Sequence, residues 1–167
     1  MASPHGGFAT GRFHKWAHEN PDKFRRVLNW YPCYRGTGGR VVHIAQDWSE
    51  IRVKLPLNRR TRNYVGTIFG GSLYACIDPM FMFMMMHQLG DGFLVWDKGA
   101  TVKFRKPGKS TLTASCRIPA GEAESVRKML ESEAKVDRIY HVDIVADDGT
   151  VHAQVEKVVN IRRLSGT

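Results

Sequence analysis

The chain has 167 residues, 43% of them hydrophobic and 25% charged, which suits one domain with a full core and leaves too little for two. Its formal charge of +9 favours an anionic partner (nucleic acid, a phosphorylated cofactor or an acidic membrane surface) without choosing among them. The three scattered cysteines, Cys33, Cys76 and Cys116, form no CxxC pair, so a disulfide scaffold or zinc site is not expected and a reducing cytoplasm is.

The amino terminus shows no charged segment followed by an apolar core, so no secretion signal is expected. Instead, residues 1–36 read as a helical arm. Phe13, Trp16 and Ala17 recur at helical spacing, and Pro21 leads into Phe24, Val27, Leu28 and Trp30. His14 and His18 share that spacing but have no third ligand beside them, so an exposed helix face is the better reading. Tyr31-Pro32 and the glycines at 36, 38 and 39 end the arm, and residues 37–167 form the main domain. Strands are expected at 40–46 and 50–55 about an Asp47-Trp48-Ser49 turn, followed by a basic loop through Arg62.

A polar loop from Asn63 runs into Gly70-Gly71, which opens a helix extending to Gln88 and stopped by Gly90 and Gly92. Apolar nearly all round, the helix needs cover on most sides, part of which a second subunit could supply. Its greasiest stretch, residues 79–86, is far short of the roughly 20 residues a bilayer demands, so no membrane span is expected. The Met80–Met86 run reads as packing, with enough deformability to line an acyl tunnel. Strands follow at 93–104 and 110–118, then a short helix over 121–133. A hairpin of 136–146 and 151–162 closes the chain about Asp147-Asp148-Gly149. One buried helix and an antiparallel sheet make an α+β fold in which a curved sheet wraps one long central helix.

Two features of the central segment carry chemistry. A helix start offers unpaired N–H groups and partial positive charge, suited to an anion or a polarised carbonyl oxygen. Asp78, about two turns inside, places a carboxylate on an apolar helix, which costs several kcal/mol unless something rewards it. Asn63 alone could simply close a turn, and Asp97 could simply pair with Lys98. Ser72 lies outside any Gly-x-Ser-x-Gly elbow and is not a nucleophile.

The run Asn63-x-x-Gly66-Thr67-x-Phe69-Gly70-Gly71, with Asp78 nine positions after Phe69, resembles the central-helix motif of hotdog-fold acyl-CoA thioesterases, nearest the phenylacetyl-CoA branch. The strand Ala100–Gly108, ending Lys106-Pro107-Gly108, resembles the family's strand before its Pro-Gly turn. The resemblance implies a hotdog fold and hydrolysis of an acyl-CoA without metal or cofactor. It implies that the Gly70 N–H polarises the thioester carbonyl, that Asn63 assists, and that Asp78 acts as nucleophile or general base. Asp97 falls near the place of a second polar residue. The resemblance further implies a homodimer, often paired into a homotetramer, with the acid and the carbonyl-binding groups on different subunits. Phe69 stands where the family has histidine, and Pro79 after the acid is expected to bend the helix. Gly71 and Phe69 flank the substrate in this reading, and Lys106 and Lys109 are the preferred contacts for the nucleotide phosphates, with Arg59, Arg60, Arg62, Arg162 and Arg163 as further basic groups. An acyl-CoA binder without turnover is the alternative. Specific nucleic-acid binding is not expected, since no aromatic-basic interleaving accompanies the charge.

Overall fold

The computed structural model describes residues 20–164; Phe13, His14, Trp16, Ala17 and His18 lie outside them. Helix α1 (Pro21–Trp30) starts where the Asn20 side chain accepts bonds from the N–H groups of Asp22 (3.0 Å) and Lys23 (3.1 Å), with Pro21 pre-set for the first turn. Tyr31, extended before Pro32, separates it from the short helix α2 (Pro32–Gly36). Strands β1 (Arg40–Ile44) and β2 (Glu50–Leu55) then pair about a turn in which Trp48 takes a positive φ of 59°. That conformation costs a non-glycine residue energy, and it delivers the Trp48 ring onto His87 at a centroid distance of 3.4 Å.

The expected central helical segment runs from Gly70 to Leu89, and a turn over residues 76–79 divides it into α3 (Gly70–Ala75) and α4 (Met80–Leu89). Pro79 has no N–H to give, and around it the ladder tightens to three-residue bonds, Ile77 N–H to Tyr74 O (3.0 Å) and Met80 N–H to Ile77 O (3.1 Å), before the Phe83 N–H reaches Pro79 O at 3.0 Å. One carbonyl at the break, that of Cys76, is taken by the buried Tyr34 hydroxyl at 3.0 Å. α2 thus ties to the interruption itself.

Beyond α4 come β3 (Phe93–Phe104), β4 (Leu112–Arg117), α5 (Glu122–Met129), β5 (Val136–Val145) and β6 (Val151–Arg163). The six strands form one antiparallel sheet in the order β1-β2-β4-β5-β6-β3. Alternation along the strands turns Ile51, Val53, Leu112, Ala114, Val142, Ile144, Val155 and Val159 inward onto Ile77, Phe81, Met84 and Met85, which are fully buried. The methionine run is therefore chiefly core. The sheet's two edges differ. The β1 edge is covered, because Asn29 of α1 donates to Val41 O (2.8 Å) and accepts from Val41 N–H (2.9 Å). The β3 edge has no neighbouring strand among the described residues.

The part of the arm within the described residues contributes to the same core. Phe24 meets the rings of Trp48, Phe83 and His87 at centroid distances of 5.0–5.2 Å. No helix among the described residues is long and apolar enough to cross a membrane.

Candidate active site

Asp78 lies in the turn between α3 and α4, where the Pro79 break sets its direction. Its Oδ1 accepts from the Tyr74 hydroxyl (2.5 Å), one helical turn earlier, and from Lys157 Nζ (2.5 Å) on β6. Lys157 also donates to the Tyr74 hydroxyl at 2.8 Å and lies 3.3 Å from Asp97 Oδ1 on β3. Lys157 is 1% exposed, whereas the Asp78 side chain is 42% exposed. The result is an ammonium sealed beneath a carboxylate that reaches the surface. No hydrogen bond reaches Asp78 Oδ2 among the described residues, so one oxygen is anchored and the other is available.

Asp97 completes the cluster less tightly. Its approach to Lys157 lacks hydrogen-bond geometry, leaving Oδ1 buried without a hydrogen bond. Burial pushes the Asp97 carboxyl up to about 6, the Asp78 charge adds to the rise, and Lys157 opposes it. For Lys157 the balance reverses. Burial works against its charge, but the bonds to Asp78 and Tyr74 and the nearby Asp97 outweigh that and hold it above the ordinary lysine value. Burial, followed by the bond to Asp78, raises the Tyr74 phenol.

The alternative pairing of Asp97 with Lys98 is not formed. Lys98 is the extra residue of a bulge between Asp97 and Gly99, and its ammonium pairs with Asp137 of β5. Successive strand residues point to opposite faces, which separates the two side chains. Sequence reasoning passed over Lys157, although a signal was present. Val155, Lys157, Val159 and Ile161 occupy one buried phase of β6, and a lysine in that phase needs acidic company.

The remaining predicted residues gather at the start of α3. Asn63 fastens the preceding loop: its Oδ1 accepts from Val65 N–H (3.1 Å) and Thr67 N–H (3.0 Å), while Nδ2 donates to Thr67 Oγ1 (2.9 Å). Phe69, 57% exposed, precedes Gly70 and folds back so that a Cβ on Gly71 would lie 2.3 Å from its ring. A Cβ on Gly70 would lie 3.0 Å from the ring of Phe104, so both glycines are places where an aromatic ring approaches bare backbone. Ile68 N–H donates to Gly108 O at 2.8 Å, joining this loop to the turn that carries the exposed Lys106 and Lys109. The predicted residues thus form two groups on one chain, Asn63/Phe69/Gly70/Gly71/Lys106/Lys109 and Asp78/Asp97.

Burial pushes the Cys76 thiol up to about 12 and the Cys116 thiol further, which removes both as nucleophiles at neutral pH. Among the described residues no three His, Cys, Asp or Glu side chains cluster to hold a metal. His141 of β5 and His152 of β6 stay apart from the acid cluster's bonds; the His152 ring lies 3.1 Å from Pro107 O.

A curved antiparallel sheet around a central helical segment defines a hotdog-fold protein. The chain matches the DUF4442 family, described as a domain of unknown function, over residues 22–161, and belongs to it. Among solved structures it is similar to a Pseudomonas aeruginosa protein of unknown function described as a probable thioesterase. That match has 17% identity and a TM-score of 0.75, and covers 87% of this chain and 97% of that one. A Chlorobaculum tepidum protein of unknown function matches at 16% identity and TM-score 0.72, over 89% and 99% of the two chains. A Haemophilus influenzae thioesterase matches at 14% identity and TM-score 0.67, over 88% and 93%. No curated protein matches. At these identities the likeness establishes the fold.

Proposed function

We propose that this protein hydrolyses an acyl-CoA thioester to the free acid and coenzyme A, working as a homodimer or a pair of dimers. The observation that carries this reading is the Asp78 carboxylate, with Oδ1 fixed by Lys157 and Tyr74 and Oδ2 free at the surface. In the proposed step, Oδ2 takes a proton from water as the water oxygen attacks the thioester carbon. Negative charge develops on the carbonyl oxygen, where the Gly70 N–H, at the start of α3, donates to it. When the tetrahedral intermediate collapses, the carbon–sulfur bond breaks and the proton held by Asp78 passes to the departing thiolate. Direct attack by the carboxylate is the covalent variant of the same reading.

Geometry favours a second copy. Gly70 and Asp78 are eight positions apart, roughly 12 Å of helical rise, too far to serve one carbonyl within a chain. The open β3 edge, with Trp96 (52% exposed) and Phe104 (60% exposed) beside it, offers a surface on which two copies could bring the acid of one to the glycine of the other. Asn63 holds the loop that presents Gly70, and Lys106 and Lys109 flank the same loop on the side where CoA phosphates would be drawn.

A second reading, acyl-CoA binding without turnover, draws on Lys157, which pairs with the very carboxylate that would accept the proton. Incubation with a panel of acyl-CoAs and a thiol reagent separates the two. Hydrolysis predicts thiol release that Asp78→Asn lowers by about 10²- to 10⁴-fold while leaving the far-UV circular dichroism and the oligomer intact. Saturable binding with no thiol release, unchanged in Asp78→Asn, would establish the binder, and equal turnover in that variant would remove Asp78 from the mechanism.

A further inference from the structure

A cleft of about 600 Å³ opens away from the acid cluster: none of Tyr74, Asp78, Asp97 and Lys157 lines it. One wall is the end of α1 and α2, with Trp30 and Arg35; the other is the loop after β2, with Arg59 and Arg60; Arg40, at the start of β1, lines it as well. No acidic side chain lines the cleft, and none of these four arginines forms an ion pair among the described residues. The sheet adds to the imbalance, because Arg40 is registered opposite Lys54 across β1 and β2. Four unpaired guanidinium groups and a like-charged strand neighbour make a positive field that draws anions to the cleft.

The walls are built, not loose. Fully buried Thr61 holds the loop from inside: its hydroxyl donates to Pro56 O (2.6 Å) and accepts from Asn58 N–H (3.0 Å), and Asn58 Oδ1 accepts from Arg60 N–H (2.8 Å). Asn29 fixes the opposite wall to β1 through its two bonds with Val41. The floor is close-packed, since a Cβ on Gly38 would lie 2.2 Å from Thr61 Cγ2 and one on Gly39 would lie 2.4 Å from Cys76 Cβ.

Trp30 is 74% exposed, with the Arg35 guanidinium 5.3 Å from its ring centroid. A large ring left in water beside Arg35, in a cleft shared with three further arginines, suits a ligand that is itself an aromatic plane joined to anions. One phosphate is satisfied by one or two guanidinium forks, so four arginines match at least two phosphates. We infer that this cleft binds a nucleotide carrying two or more phosphates, with the base on Trp30 and the phosphates on Arg35, Arg40, Arg59 and Arg60. The volume fits one nucleotide, within the usual range of roughly 300–1,000 Å³ for small-molecule sites. Such a ligand can come from two sources, a free nucleotide or the 3′-phosphorylated ADP end of coenzyme A, and in the second case this cleft takes the phosphates in place of Lys106 and Lys109.

Calorimetric titration of the full chain with 3′,5′-ADP, ATP, CoA, pyrophosphate and a random oligoribonucleotide tests the assignment. Saturable nucleotide binding is expected, weakened at least about tenfold by the double variant Arg59→Ala/Arg60→Ala, whose side chains are exposed, so that the fold should survive. Trp30→Ala should weaken the adenine nucleotides and leave pyrophosphate unchanged. Preference for CoA and 3′,5′-ADP over ATP identifies the cofactor end as the source, and the reverse identifies a free nucleotide. Failure of every mononucleotide to bind, an unaffected double variant, or binding confined to the oligoribonucleotide would each overturn the assignment. Asp78→Asn should bind nucleotides like the parent, so loss of the hydrolytic reading leaves this result standing.

Discussion

Two groups of charged side chains lie inside this fold, and they are built on different plans. Beneath α5, Glu122 (5% exposed) accepts from Arg138 Nε at 2.8 Å, from an Arg138 terminal nitrogen at 3.1 Å and from the Tyr140 hydroxyl at 2.8 Å. Both carboxylate oxygens are used, and Tyr140 stacks on Phe81 with centroids 4.9 Å apart. In the Asp78 cluster one cation serves two acids, Asp97 Oδ1 lacks a hydrogen bond, and Asp78 Oδ2 faces outward. A saturated pair of matched charge holds structure and has no capacity for a ligand. A cluster with excess negative charge and open acceptors has the capacity to take a proton.

Removing the central cation should separate the two plans most sharply. Lys157→Met leaves Asp78 and Asp97 facing each other without compensation, and breaking a buried pair costs about 3–5 kcal/mol. Because Asp78 reaches solvent, the lower end of that range is expected in urea unfolding at pH 7, together with loss of any thiol release. A Lys157→Met variant as stable as the parent would show that the ammonium contributes nothing there. Glu122→Gln should cost less, about 2 kcal/mol, because the amide keeps one acceptor while losing charge-assisted bonds to Arg138. That variant should release thiol at the parental rate per folded molecule. A fall in rate without a fall in stability would mean that the two clusters are coupled through Phe81.

How much of this was legible from the residues alone depends on whether the cause was local. The strands and their turns were readable because alternation and the Asp147-Asp148-Gly149 punctuation are local signals, and the sheet around a central helix followed from them. An interruption at Pro79 was readable for the same reason, although the Tyr34 hydroxyl that takes the Cys76 carbonyl there belongs to a residue 42 positions away. Asp78 and Asp97 were singled out through the family resemblance. Their shared partner was not, because the neighbour in sequence, Lys98, faces Asp137 on the other side of the sheet while Lys157 comes from a distant strand. The phase of Lys157 within Val155, Val159 and Ile161 was the overlooked clue. Arg35 and Arg40 could not be joined to Arg59 and Arg60, since only the docking of α1 and α2 against the loop after β2 places them around one cleft.

The smallest expected effect bears on the imbalance itself. Asp97 in the folded chain holds its proton to about pH 6, against an ordinary value of 3.8. Between those values the folded state binds more protons than the unfolded one, so this group lowers stability as pH rises through the window and exerts its full penalty above it. The difference corresponds to about 3 kcal/mol, reduced by solvent screening to an expected 1–2 kcal/mol or so. Asp97→Asn removes the penalty. Calorimetric melting should therefore find the variant more stable than the parent at pH 8, with the gap closing as the pH falls to 4, where the parental carboxyl is protonated in the folded state. A gap that widens on acidification would mean that Asp97 stabilises the fold as an anion through Lys157, and the cluster would then be as well matched as the one around Glu122.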